Sequence, residues 1–150
     1  MLTQSELKEI LSYDRRTGIF RWLKPSRRIK VGDVAGCVTQ GYGKGYVVIS
    51  FKKRQYFAHR LAWLYVTGRW PKMLDHRDRN KLNNVFVNLR ETTPALNRGN
   101  SLKAKGISQV PGGYWVVMVA GKYFGRFLSQ TKALAVRKQA ARAHFGEFAP

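Results

Sequence analysis

The spacing of apolar and polar residues predicts a helix near the start of the chain, followed by several short strands. Residues Thr3-Gln4-Ser5-Glu6 have the form of a capping box, which opens a helix. Three apolar residues continue it at helical spacing: Leu7, Ile10 and Leu11. Strand-like runs separated by glycine-rich turns come next: 19–22, 33–38, 46–51 and 55–58. This pattern predicts an N-terminal region built from one helix and β-hairpins.

The pattern changes in the second half of the chain. Residues 59–67 are apolar on nearly every side, which predicts a helix that is buried in the core and ends at Gly68. Three short strands are predicted further on: 106–109, 114–120 and 122–127. A final helix over 131–145 places Ala133, Val136 and Ala140 on one face. Separate helices and short antiparallel strands indicate an α+β protein that ends in a three-stranded sheet backed by a helix.

Charge narrows the class of partner. Lys and Arg number 28 against 8 Asp and Glu, a formal net charge of +20. Such an excess repels itself in the folded state and suits a polyanionic partner, since each neutralised phosphate releases counterions. Nucleic acid is the first expectation, the ribosome is a special case of it, and an acidic membrane ranks well behind. Cys37 is the single cysteine, which excludes a disulfide framework and a cysteine-rich zinc site.

The same sequence indicates the cellular compartment of the protein. No apolar run approaches the length of a membrane span, and residues 1–9 are too polar and acidic for a signal or transit peptide. We therefore expect a cytoplasmic protein with no membrane contact.

Candidate chemistry lies around Leu74-Asp75-His76-Arg77-Asp78, where two of the scarce acids stand together. Asp75 offers a hard oxygen ligand, and His76 can hold or release a proton near neutral pH. Taken alone, an Asp-His pair is more often a helix cap or a hydrogen-bonded surface feature than a metal site. Thr93-Pro94 then predicts a helix start. A strand, a loop, a strand and this helix would bring Asn97 back beside Asp75.

The stretch Leu74–Asn100 resembles the HNH endonucleases of phage and intron-homing elements, through Asp75-His76, Asn88 and Asn97 at the family's spacing. Residues 58–63 are similar to the segment that precedes the motif in such proteins. Residues 105–148 resemble the DNA-binding domain of plant ethylene-response factors. The resemblance implies three regions: 1–57 (N-terminal helix and β-hairpin region), 58–101 (HNH nuclease core) and 102–150 (DNA-binding domain).

Roles for the site residues are implied by the same resemblance. HNH enzymes have a ββα-metal fold with one divalent ion, Mg²⁺ or Mn²⁺, and they cleave double-stranded DNA. His76 would be the general base, and Asp75 and Asn97 the metal ligands. Asn88 would fix the loop and orient His76. Relatives commonly have Asn-Gly-Asp where this chain has Asp78-Arg79-Asn80, which alters the loop without removing a catalytic group.

Contacts to DNA are expected from side chains in the nuclease core and on an outward face of the C-terminal sheet. The candidates are Arg60, Arg77, Arg79, Lys81, Arg98, Lys105, Gln109, Lys122 and Arg126. His59 is expected to make a structural hydrogen bond rather than to act in catalysis. The aromatic residues Tyr114, Trp115, Tyr123 and Phe127 are expected in the core between sheet and helix, with packing on DNA as the alternative.

Two rival interpretations stay open. The first is a non-catalytic DNA-binding or regulatory protein built on an HNH scaffold, and the second is an RNA- or ribosome-associated basic protein. No small-molecule cofactor is expected. The residues are compatible with nicking and with double-strand cleavage.

Overall fold

The computed structural model describes residues 1–41, 44–99 and 106–149, without the side chains of 98 and 99. It divides into two compact units, Met1–Thr92 and Thr93–Pro150. Helices and small antiparallel sheets occur in both, so the α+β class is confirmed. The predicted boundaries after residues 57 and 101 stay predictions.

Among the described residues, the first unit contains two helices and seven short strands. In chain order they are α1 (Gln4–Ile10), β1 (Leu11–Tyr13), β2 (Phe20–Trp22), β3 (Cys37–Val38), β4 (Val47–Phe51), β5 (Arg54–Phe57), α2 (Ala58–Thr67), β6 (Leu74–His76) and β7 (Leu89–Glu91). A 3-10 turn, Phe86–Asn88, precedes β7. The strands pair into antiparallel sheets in the orders β1-β2, β3-β4-β5 and β6-β7.

Both helix signals of the first unit are confirmed. The backbone N–H of Thr3 donates to the Glu6 carboxylate at 2.9 Å, and the Glu6 N–H donates to the Thr3 hydroxyl at 3.3 Å. Gly68 ends α2 in the left-handed conformation at φ 76°, and its N–H donates to the carbonyl of Leu64. Leu11 was placed on the face of α1, which is wrong: it has extended backbone angles, begins β1 and is fully buried.

Two predicted strands differ in length. The run over 33–38 shortens to Cys37–Val38, because Gly36 takes φ 101° and lies against β4. A Cβ on Gly36 would come within 2.9 Å of the Val48 carbonyl oxygen and the Ile49 side chain. The run over 55–58 is strand only to Phe57, since Ala58 already begins α2.

The core of the first unit joins the N-terminal strands to α2. Leu11, Phe20, Ile49 and Leu61 are among its fully or almost fully buried members. Tyr13 packs on Phe20 with ring centroids 4.7 Å apart. Residues before and after position 57 therefore share one hydrophobic core.

The second unit has a simpler order. It consists of α3 (Pro94–Gly99), β8 (Ile107–Val110), β9 (Tyr114–Val119), β10 (Lys122–Phe127) and α4 (Gln130–Phe145), with a 3-10 turn at Gly146–Phe148. The sheet order is β10-β9-β8, and α4 begins at Ser129, whose hydroxyl accepts the N–H of Lys132. The predicted sheet and helix are confirmed.

The core of this unit is small and apolar. Val117, Val119, Ala133, Ala140 and Ala141 are buried, and Trp115 and Phe127 pack against them as expected. Tyr123 is 62% exposed and pairs with Met118 on the other face of the sheet. Tyr114 lies on that face too, under the Arg126 guanidinium, so the expected place of both tyrosines in the core is wrong. Among the described residues, no helix is both long and apolar enough to span a membrane.

Candidate active site

The β6-β7 hairpin carries the Asp-His dipeptide and sets a basic residue, Arg90, opposite Asp75. Asp75 faces Arg90 across the antiparallel pair, and His76 faces Leu89. Residues directly opposite each other project on the same face, so their side chains meet. The guanidinium of Arg90 donates to Asp75 Oδ2 from Nη2 at 2.8 Å and from Nε at 3.1 Å. The two side chains are only 5% and 11% exposed, which makes this a buried ion pair.

His76 ends β6 as a buried side chain, 4% exposed. Its Nε2 lies 3.3 Å from Oδ1 of Asn84. Burial lowers the pKa of His76, while the contact with Asn84 and the charges of Asp78 and Asp75 oppose that shift. The imidazole is therefore neutral near pH 7, the state in which it can accept a proton.

Two further rings enclose His76. His59 at the start of α2 packs edge-on against it, with centroids 5.2 Å apart, and Tyr46 lies 6.0 Å from it. Burial lowers the pKa of His59 to about 3. The structural hydrogen bond expected for His59 is not made by Nδ1, which is buried without a partner among the described residues. The ring is held by packing against Tyr46 and Phe57.

Asn88 binds the loop that joins the two strands. Its Nδ2 donates to Asp78 Oδ1 and to the Asn83 carbonyl, both at 2.9 Å, and its Oδ1 accepts the Asp78 N–H at 3.0 Å. Burial acts to raise the pKa of Asp78, but hydrogen bonds from Asn83, the Asn80 amide and Asn88 lower it overall. The described contacts of the Asn88 side chain thus lie on the loop, and the contact to the imidazole comes from Asn84.

Residues 56–98 match the family model of HNH endonucleases. The matched stretch contains α2, the whole β6-β7 hairpin and most of α3. It supports a nuclease that acts on DNA. Neither the curated proteins nor the solved structures include a match to this chain. The strands β8–β10 and helix α4 lie outside the matched residues, so the likeness of 105–148 to ethylene-response factors stays a prediction.

Asn97 lies on α3 in the second unit, where its side chain is exposed. The predicted helix start is confirmed, since the Thr93 hydroxyl accepts the N–H of Leu96 at 3.3 Å. Its expected pairing with Asp75 stays a prediction. Within residues 1–41, 44–99 and 106–149, no group of three or more His, Cys, Asp or Glu side chains is placed to hold a metal ion.

The candidate DNA contacts in the nuclease segment and the linker after it differ in exposure and in their contacts. Arg77 and Arg79 are exposed on the loop beside the site. Lys81 is exposed too, and its ammonium donates to the Lys44 carbonyl at 3.2 Å and lies over the Tyr46 ring. Arg60 is engaged in the fold: it donates to the Pro71 carbonyl at 2.8 Å. The side chain of Arg98 and all of Lys105 lie outside what the structure describes.

The candidates on the C-terminal sheet do not share one outward face. Arg126 pairs with Val116, on the face away from α4. Gln109 pairs with Trp115 and Lys122 with Val119, both of which belong to the core side. Because opposed residues project on the same side, Gln109 and Lys122 project toward the helix-covered face. They are exposed because they lie near strand ends.

Proposed function

We propose that this protein is a metal-dependent HNH endonuclease that hydrolyses phosphodiester bonds of double-stranded DNA. The observation that carries the proposal is His76: a buried neutral imidazole beside the Asp75 carboxylate, within the segment that matches HNH endonucleases. The resemblance to phage and intron-homing members supports phage or mobile-element origin. The site of action would then be the cytoplasm of the host cell.

The chemistry divides between two neighbouring side chains. His76 takes a proton from the attacking water, and its depressed pKa keeps it unprotonated and ready to do so. Asp75 and Asn97 would hold one Mg²⁺ or Mn²⁺ ion. When bound, that ion supplies positive charge for the phosphate and the leaving 3′ oxygen.

The donor set suits a hard cation, since it consists of one carboxylate and one amide oxygen. Asp75 already shares Oδ2 with the guanidinium of Arg90. The remaining coordination would come from water and the DNA phosphate. We therefore expect metal affinity to rise when DNA is bound.

DNA is the substrate that the charge favours. The chain carries a formal net charge of +20, and exposed Arg77, Arg79 and Lys81 lie on the loop beside His76. Phosphate contacts from such residues set affinity and orientation without reading sequence.

The rival function is DNA binding without cleavage. The observation that favours it is the buried Asp75–Arg90 pair, because Arg90 already neutralises the carboxylate that a metal would need. On this alternative the hairpin is a scaffold and the basic surface performs the whole function.

Replacement of His76 tests the proposal. With Mg²⁺ or Mn²⁺, we expect the wild-type protein to nick or linearise supercoiled plasmid. His76→Ala should lower the cleavage rate by about 10²–10⁴-fold, while gel-shift affinity for duplex DNA is retained. His144→Ala is the matched control, since His144 is exposed on α4.

Three results would count against the proposal. Wild-type protein that binds duplex DNA but leaves plasmid intact with either metal supports the non-catalytic rival. Cleavage by His76→Ala at the wild-type rate removes His76 as the base. Stronger binding to RNA than to duplex DNA in competition would favour an RNA-associated protein.

A further inference from the structure

Asn84 is the side chain that meets the imidazole of His76. Its Oδ1 lies 3.3 Å from His76 Nε2, and Asn84 itself is only 3% exposed. Bulk water is therefore kept from this contact, and the hydrogen bond has to be satisfied by the two side chains. Asn84 was not assigned a role from the sequence, where it stands beside Asn83 in a polar loop.

The orientation of the Asn84 amide follows from its other contact. Nδ2 donates to the Leu82 carbonyl at 3.2 Å, and the backbone N–H of Asn84 donates to the same oxygen at 3.1 Å. A flipped amide would set Oδ1 against that carbonyl, two acceptors facing each other. The amide oxygen therefore faces His76, and an oxygen accepts but does not donate. Nε2 has to carry the proton.

Residues of the N-terminal strands and the turn between them hold Asn84 in place. The hydroxyl of Tyr13 donates to the Asn84 carbonyl at 2.7 Å in a buried hydrogen bond. Burial raises the pKa of Tyr13 to about 12, so the hydroxyl stays a donor. Gly18 lies so close that a Cβ there would come 2.5 Å from the Asn84 carbonyl carbon. Tyr13 and Gly18 both precede the segment 56–98 that matches the HNH family.

We propose that Asn84 is a positioning residue that fixes His76 as the tautomer protonated at Nε2, and that β1 and the turn at Gly18 hold Asn84 in place. Nδ1 is then the nitrogen with the free electron pair. The part of the proposal that concerns catalysis rests on the proposed nuclease function, whereas the tautomer does not.

The proton then follows a defined route. An O–H bond of the attacking water breaks, and an N–H bond forms at Nδ1 of His76. The water oxygen bonds to phosphorus while the bond from phosphorus to the 3′ oxygen breaks and leaves its electron pair on that oxygen. Nε2–H remains bonded to Asn84 throughout, so the imidazolium that forms is stabilised by an acceptor already in place.

Nitrogen-15 NMR of histidine-labelled protein reads the tautomer directly, and His76→Ala assigns the resonances. In the wild-type protein at a pH where His76 is neutral, we expect the proton on Nε2. Asn84→Ala should give a mixture of the two tautomers. Asn84→Asp keeps an acceptor but loses the donor to Leu82 and adds a carboxylate that favours the protonated imidazole, so it is measured at a pH high enough to leave His76 neutral, where the proton should again lie on Nε2. Asn83→Ala is the matched control, because Asn83 bonds Asp78 and the Val85 N–H in the same loop. It should leave the tautomer unchanged.

Cleavage kinetics supply the second measurement. We expect Asn84→Ala to lower kcat by about tenfold or more while KM for DNA changes by less than about threefold, since a wrong tautomer affects the proton transfer rather than binding. Asn84→Asp should recover kcat only at alkaline pH, where its imidazole is neutral. Tyr13→Phe, which removes only the hydroxyl, should shift the tautomer in the same direction as Asn84→Ala and by less.

Each result decides a separate point. A wild-type protein with the proton on Nδ1, or an Asn84→Ala protein with an unchanged tautomer, overturns the proposal. If Asn84→Ala does not fold, Tyr13→Phe decides: an unchanged tautomer and unchanged kcat there contradict the role of β1. A tautomer that responds as expected in a protein that never cleaves DNA supports Asn84 as the positioning residue and contradicts the nuclease function alone.

Discussion

The two units of the chain bury different kinds of residue. Of the residues that the structure describes, the buried polar and charged ones all lie in Met1–Thr92: His59, His76, Asn84, Asn88 and Arg90. The core of Thr93–Pro150 consists of small apolar side chains. Glu147 is the single acid of the second unit, where nine Lys and Arg accompany it. The catalysis proposed for His76 needs groups shielded from water, whereas binding a polyanion needs charge on the surface.

The difference has an energetic consequence. A buried polar group costs stability unless it finds a partner, and a buried charge costs more. In the first unit Asp75 pairs with Arg90, and Asn88 with Asp78. We therefore expect the stability of the first unit to depend on charge and pH, and that of the second on apolar packing.

Loss of Arg90 is expected to have the largest effect on stability. Arg90→Met leaves the carboxylate of Asp75 buried without its countercharge, and should lower the free energy of unfolding by about 3–5 kcal/mol. Urea denaturation measures this. Arg126→Met is the matched control from the second unit: Arg126 is exposed, and its loss should change stability by less than about 0.5 kcal/mol.

The double variant sharpens the interpretation. Asp75→Asn combined with Arg90→Met removes both charges and should recover much of the lost stability. If Arg90→Met and Arg126→Met cost the same, the contrast between the two units does not hold.

The second-largest expected effect is a dependence of the free energy of unfolding on pH. The pKa of His59 is about 3 in the folded chain against an ordinary 6.5, so below pH 6.5 the unfolded chain binds a proton that the folded chain does not. The contribution of His59 to the free energy of unfolding is thus fully present above pH 6.5 and falls as the pH drops toward 3. His59 alone should contribute a loss of about 2 kcal/mol at pH 5. The lowered pKa of His76 acts in the same direction.

His59→Phe separates the contribution of His59 from that of His76. The substitution removes a buried Nδ1 that has no partner among the described residues, so stability at pH 7 should be unchanged or slightly higher. The loss between pH 7 and pH 5 should become smaller, as followed by urea denaturation at both values. An equally steep loss in His59→Phe would show that other groups are responsible.

The smallest expected effect concerns the surface of the second unit. Arg126 projects from the face of the sheet away from α4, and Lys122 does not. If that face lies on DNA, Arg126→Ala should weaken duplex binding several-fold and reduce the salt dependence by about one phosphate contact. Lys122→Ala is the matched control and should change binding less. Affinity for duplex DNA is measured by fluorescence titration at several salt concentrations. If both variants lose the same affinity, the contact lies at the edge of the sheet and not on that face.

Local sequence determined most of the secondary structure. The capping box at Thr3, the left-handed Gly68 and the strand of 122–127 depend on interactions within a few residues, so they can be read along the chain. The segment around Asp75 and His76 was recognisable for the same reason, because the spacing of the motif is itself a property of the sequence. The predicted length of the strand over 33–38 is too great, because that length depends on how closely Gly36 approaches β4.

The environment of the site was decided by tertiary structure alone. The contacts from Asn84 to His76 and from Arg90 to Asp75 span 8 and 15 residues, and that from Tyr13 to Asn84 spans 71. Nothing local to Tyr13 indicates which carbonyl its hydroxyl will meet. Hydrophobic burial, which has no direction, brings β1 and α2 into one core, and the hydrogen bonds that hold His76 form only where that packing leaves polar atoms facing each other.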